Sequence, residues 1–313
     1  MLSRVAENLY WFSRYLKRTE NTARLVGVNS LLQLDLPRSV RFAWQPLLDI
    51  LGAGDAFRAL HPESQDEAAE ADVVHFLLLD ERNACSMLSS LKQARDALRT
   101  IREALPQECW ERVNGTFLRL GEEGEHNLGR RYRLDLLNRV VDDCLVVSGI
   151  LTANVSRDIG FQFMRLGTAL EQADMTTRII DAGASGLIRP RGAEEIEAYQ
   201  AMQWMSVLRS LAAYQMYRRH VRQRVSAAHA LQFLLQNREF PRSVMFCLVR
   251  MQAALPLAPP RRAVERALAR AQALARDADT RVLAETGVAG LMDEIQIAIA
   301  GLHAAITETY FRA

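Results

Sequence analysis

The chain has 313 residues, 49% of them hydrophobic, with 39 lysines and arginines against 37 aspartates and glutamates for a formal charge of +2. That balance supplies enough apolar surface for a substantial core, rules out a chain held open by charge repulsion, and removes any global electrostatic case for nucleic acid. Ala/Leu/Arg/Glu-rich runs with helical spacing dominate and alternating β-branched runs are scarce, so the expected fold class is all-α, a multi-helix bundle.

Apolar periodicity places helices over about 3–34, 41–53, 66–80, 83–104, 106–119 and 131–154, then over 158–183, 193–223, 224–236, 241–254, 260–277 and 287–311. In the first helix, at about 100° per residue, Val5, Leu9, Phe12, Leu16 and Ala23 share one arc. Glu20 and Arg24 fall just beyond its edge, while Glu7, Arg14, Arg18 and Asn21 lie opposite. Ser64-Gln65-Asp66-Glu67 reads as a capping box for the third helix. The stretches 121–129 and 182–192 are the clearest breaks in periodicity. The second carries Gly183, Gly186, Pro190 and Gly192 and reads as a lid rather than a domain linker.

The chain repeats itself. Leu16-Lys17-Arg18-Thr19-Glu20-Asn21-Thr22-Ala23-Arg24-Leu25 aligns without a gap on Leu170-Glu171-Gln172-Ala173-Asp174-Met175-Thr176-Thr177-Arg178-Ile179. Each copy sets an acid four residues before an arginine, on one helical face and in the orientation that favours an ion pair. In the second copy Phe161, Leu166, Leu170, Ala173 and Thr177 form the apolar arc, with Asp174 and Arg178 at its boundary. Trp44 to Leu48 aligns with Trp204 to Leu208, Phe76 to Asp80 with Phe233 to Asn237, and Ser86-Met87 with Ser243-Val244. The order implies an ancient duplication into two helical halves, about 1–155 and 156–313, which pack on each other.

Residue chemistry identifies no nucleophile, metal centre or nucleotide cradle. The six histidines form no His-x-x-x-His pair, and Walker, dinucleotide and Gly-x-Ser-x-Gly patterns are absent, so no cofactor and no metal are expected. The acidic run Glu122 to His126 reads as a solvated loop tip. Cys85, Cys109, Cys144 and Cys247 form no Cys-x-x-Cys pair and read as small buried residues of a reduced protein. Without an uninterrupted apolar stretch of about 18 residues or a signal peptide, a cytoplasmic protein with no membrane partner is expected. Arg218, Arg219, His220, Arg222 and Arg224 make a basic run that suits a helix C-terminus better than nucleic acid, an unlikely partner.

Leu2-Ser3-Arg4-Val5-Ala6-Glu7-Asn8-Leu9-Tyr10-Trp11, running into Arg14-Tyr15-Leu16-Lys17-Arg18-Thr19-Glu20-Asn21-Thr22-Ala23-Arg24, resembles the opening of the bacterial Alpha-E family, a helical domain with a Glu-Arg motif. The resemblance continues through Gln93 to Arg99, Trp110 to Asn114, Ser156-Arg157-Asp158, Arg165-Leu166-Gly167, Ala173 to Thr176 and Phe240-Pro241-Arg242-Ser243-Val244, so a single domain over 1–313 is expected. It implies a partner role beside a circularly permuted ATP-grasp protein and a transglutaminase-like protease in one pathway of ATP-dependent amide or peptide bond formation. The chain departs from the family's Gly-Arg-x-Leu-Glu-Arg in a reciprocal way. Ser13 to Arg18 keeps both arginines and loses the glutamate, whereas Gly167 to Gln172 keeps the glutamate and loses both arginines.

The leading expectation is therefore an accessory or substrate-binding component, with Arg14, Arg18, Glu20, Arg24, Glu171, Asp174 and Arg178 lining a polar site between the repeat helices for a carboxylate- or phosphate-bearing small molecule. Two alternatives stand beside it. The chain itself could catalyse acyl transfer or amide formation, with Glu20 or Asp174 as general base and Arg18 or Arg178 holding the anion, or it could be a purely structural scaffold. The reciprocal losses predict that Glu171 is held by Arg18, Arg14 or Lys17 of the first copy, as one composite Glu-Arg site.

Overall fold

The computed structural model describes residues 3–36, 41–62, 69–184, 188–189, 196–255 and 262–312. The capping box at 64–67 and most of the 182–192 break lie outside them. The described chain is all-α. Its first part runs α1 (Ser3–Asp35), α2 (Gln45–Ile50), α3 (Gly54–Leu60), α4 (Glu70–Leu78), α5 (Met87–Thr100), α6 (Gln107–Glu123) and α7 (Arg133–Asn154). The second runs α8 (Ile159–Ala184), α9 (Ile196–Ser210), α10 (Tyr214–Val221), α11 (Ala227–Gln236), α12 (Val244–Ala254), α13 (Arg262–Arg276), α14 (Thr280–Thr286) and α15 (Ala289–Tyr310). Two residue pairs, Arg41–Phe42 and Ile188–Arg189, add a minimal antiparallel β link, with Phe42 opposite Ile188.

The two longest early segments, α1 and α8, cross at the centre, α5 and α7 pack on α1, and α12 and α15 pack on α8. One hydrophobic cluster extends from Ala6 to Phe311 and includes Leu16 and Leu170. α15 is long and apolar enough to cross a membrane by composition. One face, with Met292, Ile295, Ile299, Leu302 and Ile306, is buried, while Asp293, Glu294 and Glu308 are exposed, the pattern of a core-packing amphipathic helix.

Several boundaries differ from those expected. The helix expected over 41–53 is shorter: Arg41–Phe42 is extended, and α2 closes after Ile50, where Gly52 adopts φ +63° and the Ala53 N–H donates back to Leu48 O at 2.8 Å. The helix expected over 193–223 is divided into α9 and α10 by a stop of the same kind. Ala212 adopts φ +50° and the Ala213 N–H donates to Leu208 O at 2.7 Å. This left-handed stop satisfies end carbonyls and is normally the place of glycine. Periodicity runs across the break at Ala212 because one left-handed residue does not interrupt the apolar pattern. α3 and α14 lie outside every expected helix, because seven residues are too few to show a period, although Asp279 caps α14 by accepting from the Arg281 and Val282 N–H groups. The aligned serines behave alike: Ser86 Oγ accepts from Ser89 N and Ser243 Oγ from Phe246 N, each at 3.1 Å, opening α5 and α12.

Candidate functional site

Where α1 crosses α8 the backbones come very close, and the residue that permits it is Gly167. A methyl group there would overlap the Tyr10 carbonyl oxygen, so Tyr10 and Arg14 can lie directly over α8. Enclosure by α5, α7, α8 and α9 removes the solvent face that the helical wheel of α1 implies. Glu20 and Asn21 are each only 1% exposed, and Arg14 is buried too. The Glu20–Arg24 pair is thus not a rim pair at the edge of an apolar arc, and the face opposite that arc is not solvated. It is the polar lining of a helix–helix seam.

Glu171 is the centre of one half of the seam. Arg14 Nε donates to its Oε2 at 2.8 Å, and Arg18 donates through Nε to Oε1 at 2.6 Å and through Nη2 to Oε2 at 3.1 Å. The composite pair expected from the reciprocal motif losses is present, with two arginines of the first copy on one glutamate of the second. Aromatic faces back both guanidinium groups: Arg14 lies 4.8 Å from the Trp11 ring centroid and Arg18 5.8 Å from that of Tyr15. Burial pushes the Glu171 carboxyl up, but Arg18 and Arg14 outweigh it and hold the group below the usual carboxylate range. Tyr10 OH and His303 Nδ1 are 2.8 Å apart beside it. Burial lifts the Tyr10 phenol to about 12, and burial together with the Arg14 charge lowers His303 to about 4, so the imidazole is neutral near pH 7.

Glu20 is the centre of the other half. It accepts from Lys17 Nζ at 2.5 Å, Arg24 Nε at 2.8 Å and Arg242 Nη2 at 2.5 Å. Arg242 Nη1 also donates to Asn21 Oδ1 at 3.0 Å and Gln172 Oε1 at 3.2 Å, while the Arg242 carbonyl accepts from Thr176 Oγ1 at 2.8 Å. Desolvation opposes ionisation of Glu20, yet Lys17 and Arg242 pull its pKa far below normal. Arg242 therefore joins the turn before α12 to both repeat helices. Its only sequence signal was membership of the Phe-Pro-Arg-Ser-Val segment, because nothing local ties residue 242 to residue 20.

The remaining two expected residues stand apart. Arg178 Nε donates to Asp174 at 2.8 Å in an ordinary i,i+4 pair, more exposed than its counterpart Glu20–Arg24. The seam thus gathers Arg14, Arg18, Glu20, Arg24 and Glu171, recruits Lys17 and Arg242, and leaves Asp174–Arg178 as a separate pair.

Beside the Glu20 cluster lies a small pocket of about 170 Å³ lined by Lys17, Thr168, Gln172, Arg242, Cys247 and Arg250, among others. The basic run at the end of α10 is elsewhere, with Arg218, Arg222 and Arg224 lining a wide depression of about 1360 Å³ together with Trp204 and Tyr214. Among the described residues no group of His, Cys, Asp or Glu side chains could hold a metal ion. The four thiols are free. Burial pushes Cys109 and Cys247 to about 12 and Cys144 further up, while Cys85 is half-buried. The three buried thiols are uncharged near pH 7 and so are not activated nucleophiles.

An all-α fold built around a buried Glu-Arg seam is the class of protein described by these features. The chain belongs to the Alpha-E family, described as a predicted α-helical domain with a conserved ER motif, whose sequence profile matches residues 1–311. It is also similar to an uncharacterized protein of Mycobacterium bovis and to uncharacterized proteins of two Mycobacterium tuberculosis strains, CDC 1551 and H37Rv, each 24% identical over 331 residues. Those alignments take in 97% of this chain but 36% of the relatives, so the chain spans about a third of their length. No solved structure matches it.

Proposed function

We propose that the chain is the accessory or substrate-binding component of an ATP-grasp-linked system that forms amide or peptide bonds, a cytoplasmic protein working beside a circularly permuted ATP-grasp enzyme and a transglutaminase-like protease. The observation that carries this reading is the charge of the seam. Arg14, Arg18, Lys17, Arg24 and Arg242 converge on only two carboxylates, Glu171 and Glu20. Buried cations in excess of their partners favour an anion, and guanidinium groups suit the carboxylate or phosphate of a ligase substrate. Arg14 Nη1 supports the same reading, since it is buried with no hydrogen-bond partner.

Catalysis by the seam itself fits less well. A general base works best with a pKa near the operating pH, whereas Glu20 and Glu171 are held far down by their cations and have their oxygens occupied. A pure scaffold would have little use for surplus buried positive charge, which costs stability.

Co-purification with a neighbouring ATP-grasp protein, followed by ATP-hydrolysis assays in which each component is omitted in turn, tests the proposal. The expected result is a stable complex whose carboxylate-dependent hydrolysis falls when this chain is left out or carries Arg18→Gln. Hydrolysis unchanged by its omission, or catalysis by the chain alone, would overturn the accessory role.

A further inference from the structure

The small pocket beside Glu20 has a chemical character that the Glu-Arg pairs do not explain. Its wall carries Lys17, Arg242 and Arg250 and no acidic side chain. Lys17 and Arg242 share a single carboxylate, that of Glu20, and Arg24 draws on it as well. Arg250 is half-buried and, among the described residues, makes no ion pair within 4 Å. Burial and then the charges of Arg250 and Arg157 also depress the Arg165 guanidinium. Like charges gathered in a partly dry site repel unless an anion lies among them.

We propose that this pocket binds a phosphate group, either inorganic phosphate or the phosphate end of a small phosphomonoester. Size and direction both support it. At about 170 Å³ the space is several times the roughly 30 Å³ share of one water but below the about 300 Å³ at which drug-sized sites begin. Side chains that can donate line it from three elements: Lys17 from α1, Thr168 and Gln172 from α8, and Arg242 with Arg250 from the turn before α12 and α12 itself. A carboxylate presents two oxygens in one plane, whereas the oxygens of a tetrahedral oxyanion point in several directions and can meet donors from all three elements. Phosphate also carries about 1.5 to 2 negative charges near neutral pH, which offsets the surplus better than a monoanion.

The site lies on the seam of the functional reading and rests on it only for location, so it is tested on the full chain without any partner. Calorimetric titration with inorganic phosphate, glycerol phosphate and acetate, at ionic strength held constant with chloride, should give saturable single-site binding of phosphate, a raised melting temperature, and neither effect with acetate. Equal binding of glycerol phosphate would mark a mouth open to the end of a larger molecule, and preference for inorganic phosphate a site for the free ion. Arg250→Gln should weaken phosphate binding by about tenfold or more while leaving the melting temperature without phosphate unchanged or higher, and Arg250→Lys should fall between. No phosphate effect beyond that of chloride, or the same affinity in Arg250→Gln, would overturn the proposal whatever the reconstitution assay shows.

Discussion

Glu171 is nearly inaccessible and accepts from two arginines of the other repeat helix, so its removal is worse than the loss of two hydrogen bonds. Glu171→Ala leaves Arg14 and Arg18 facing each other in the seam, and we expect a cost of about 3–5 kcal/mol in urea unfolding. Arg18→Ala should cost less, since Arg14 still holds Glu171. The double-mutant cycle of Glu171 and Arg18 should show coupling of at least about 1 kcal/mol, and additivity within about 0.5 kcal/mol would mean the pair is energetically idle. His303 gives a second residue-scale expectation. Its pKa is lowered to about 4, so the unfolded chain takes up a proton at higher pH than the folded one. Stability therefore falls as pH drops from about 6.5 toward about 4, by on the order of 1 kcal/mol because the ring is only half-buried and water screens it. His303→Gln should flatten that stretch of the urea midpoint against pH.

At the scale of the helix, backbone approach and helix stops decide more than side-chain hydrophobicity. Gly167 lets α1 and α8 meet against the Tyr10 carbonyl, so Gly167→Ala must separate the two helices that carry the seam. The expected loss is about 1–3 kcal/mol, as for an overpacked core, with weakened Arg14–Glu171 coupling as the sign that the seam has opened. The paired stops of α2 and α9 give a cleaner comparison. Gly52 and Ala212 hold the same left-handed backbone, but the alanine is strained by roughly 1–2 kcal/mol. Ala212→Gly should therefore stabilise the protein by about 1 kcal/mol and Gly52→Ala should destabilise it by a similar amount, read from thermal or urea unfolding.

For the molecule as a whole, the buried carboxylates set the acid limit. Glu20 and Glu171 are depressed in the folded state, so their stabilisation is complete above the unfolded value of about 4.3 and is lost as pH falls below it. Unfolding midpoints should drop steeply below about pH 4.5, after the gentler His303 decline. In Glu171→Gln the acid limb should be shallower at the expense of neutral-pH stability, and an unchanged slope would show that other carboxylates control it. The sequence by itself determined the all-α class, most helix positions, the aligned Glu-Arg segments, and, through the reciprocal motif losses, the partnership of Glu171 with the arginines of α1. These features are local, or follow from charge complementarity between two readable motifs. Only the tertiary structure decided that the seam is buried, because a helical wheel ranks faces by hydrophobicity and cannot tell that neighbours enclose both faces of α1. It alone brought Arg242 to Glu20 and Arg250 to the small pocket. Those positions are separated from α1 by most of the chain, and their meeting depends on how α12 packs on α8, a long-range arrangement that no local pattern encodes.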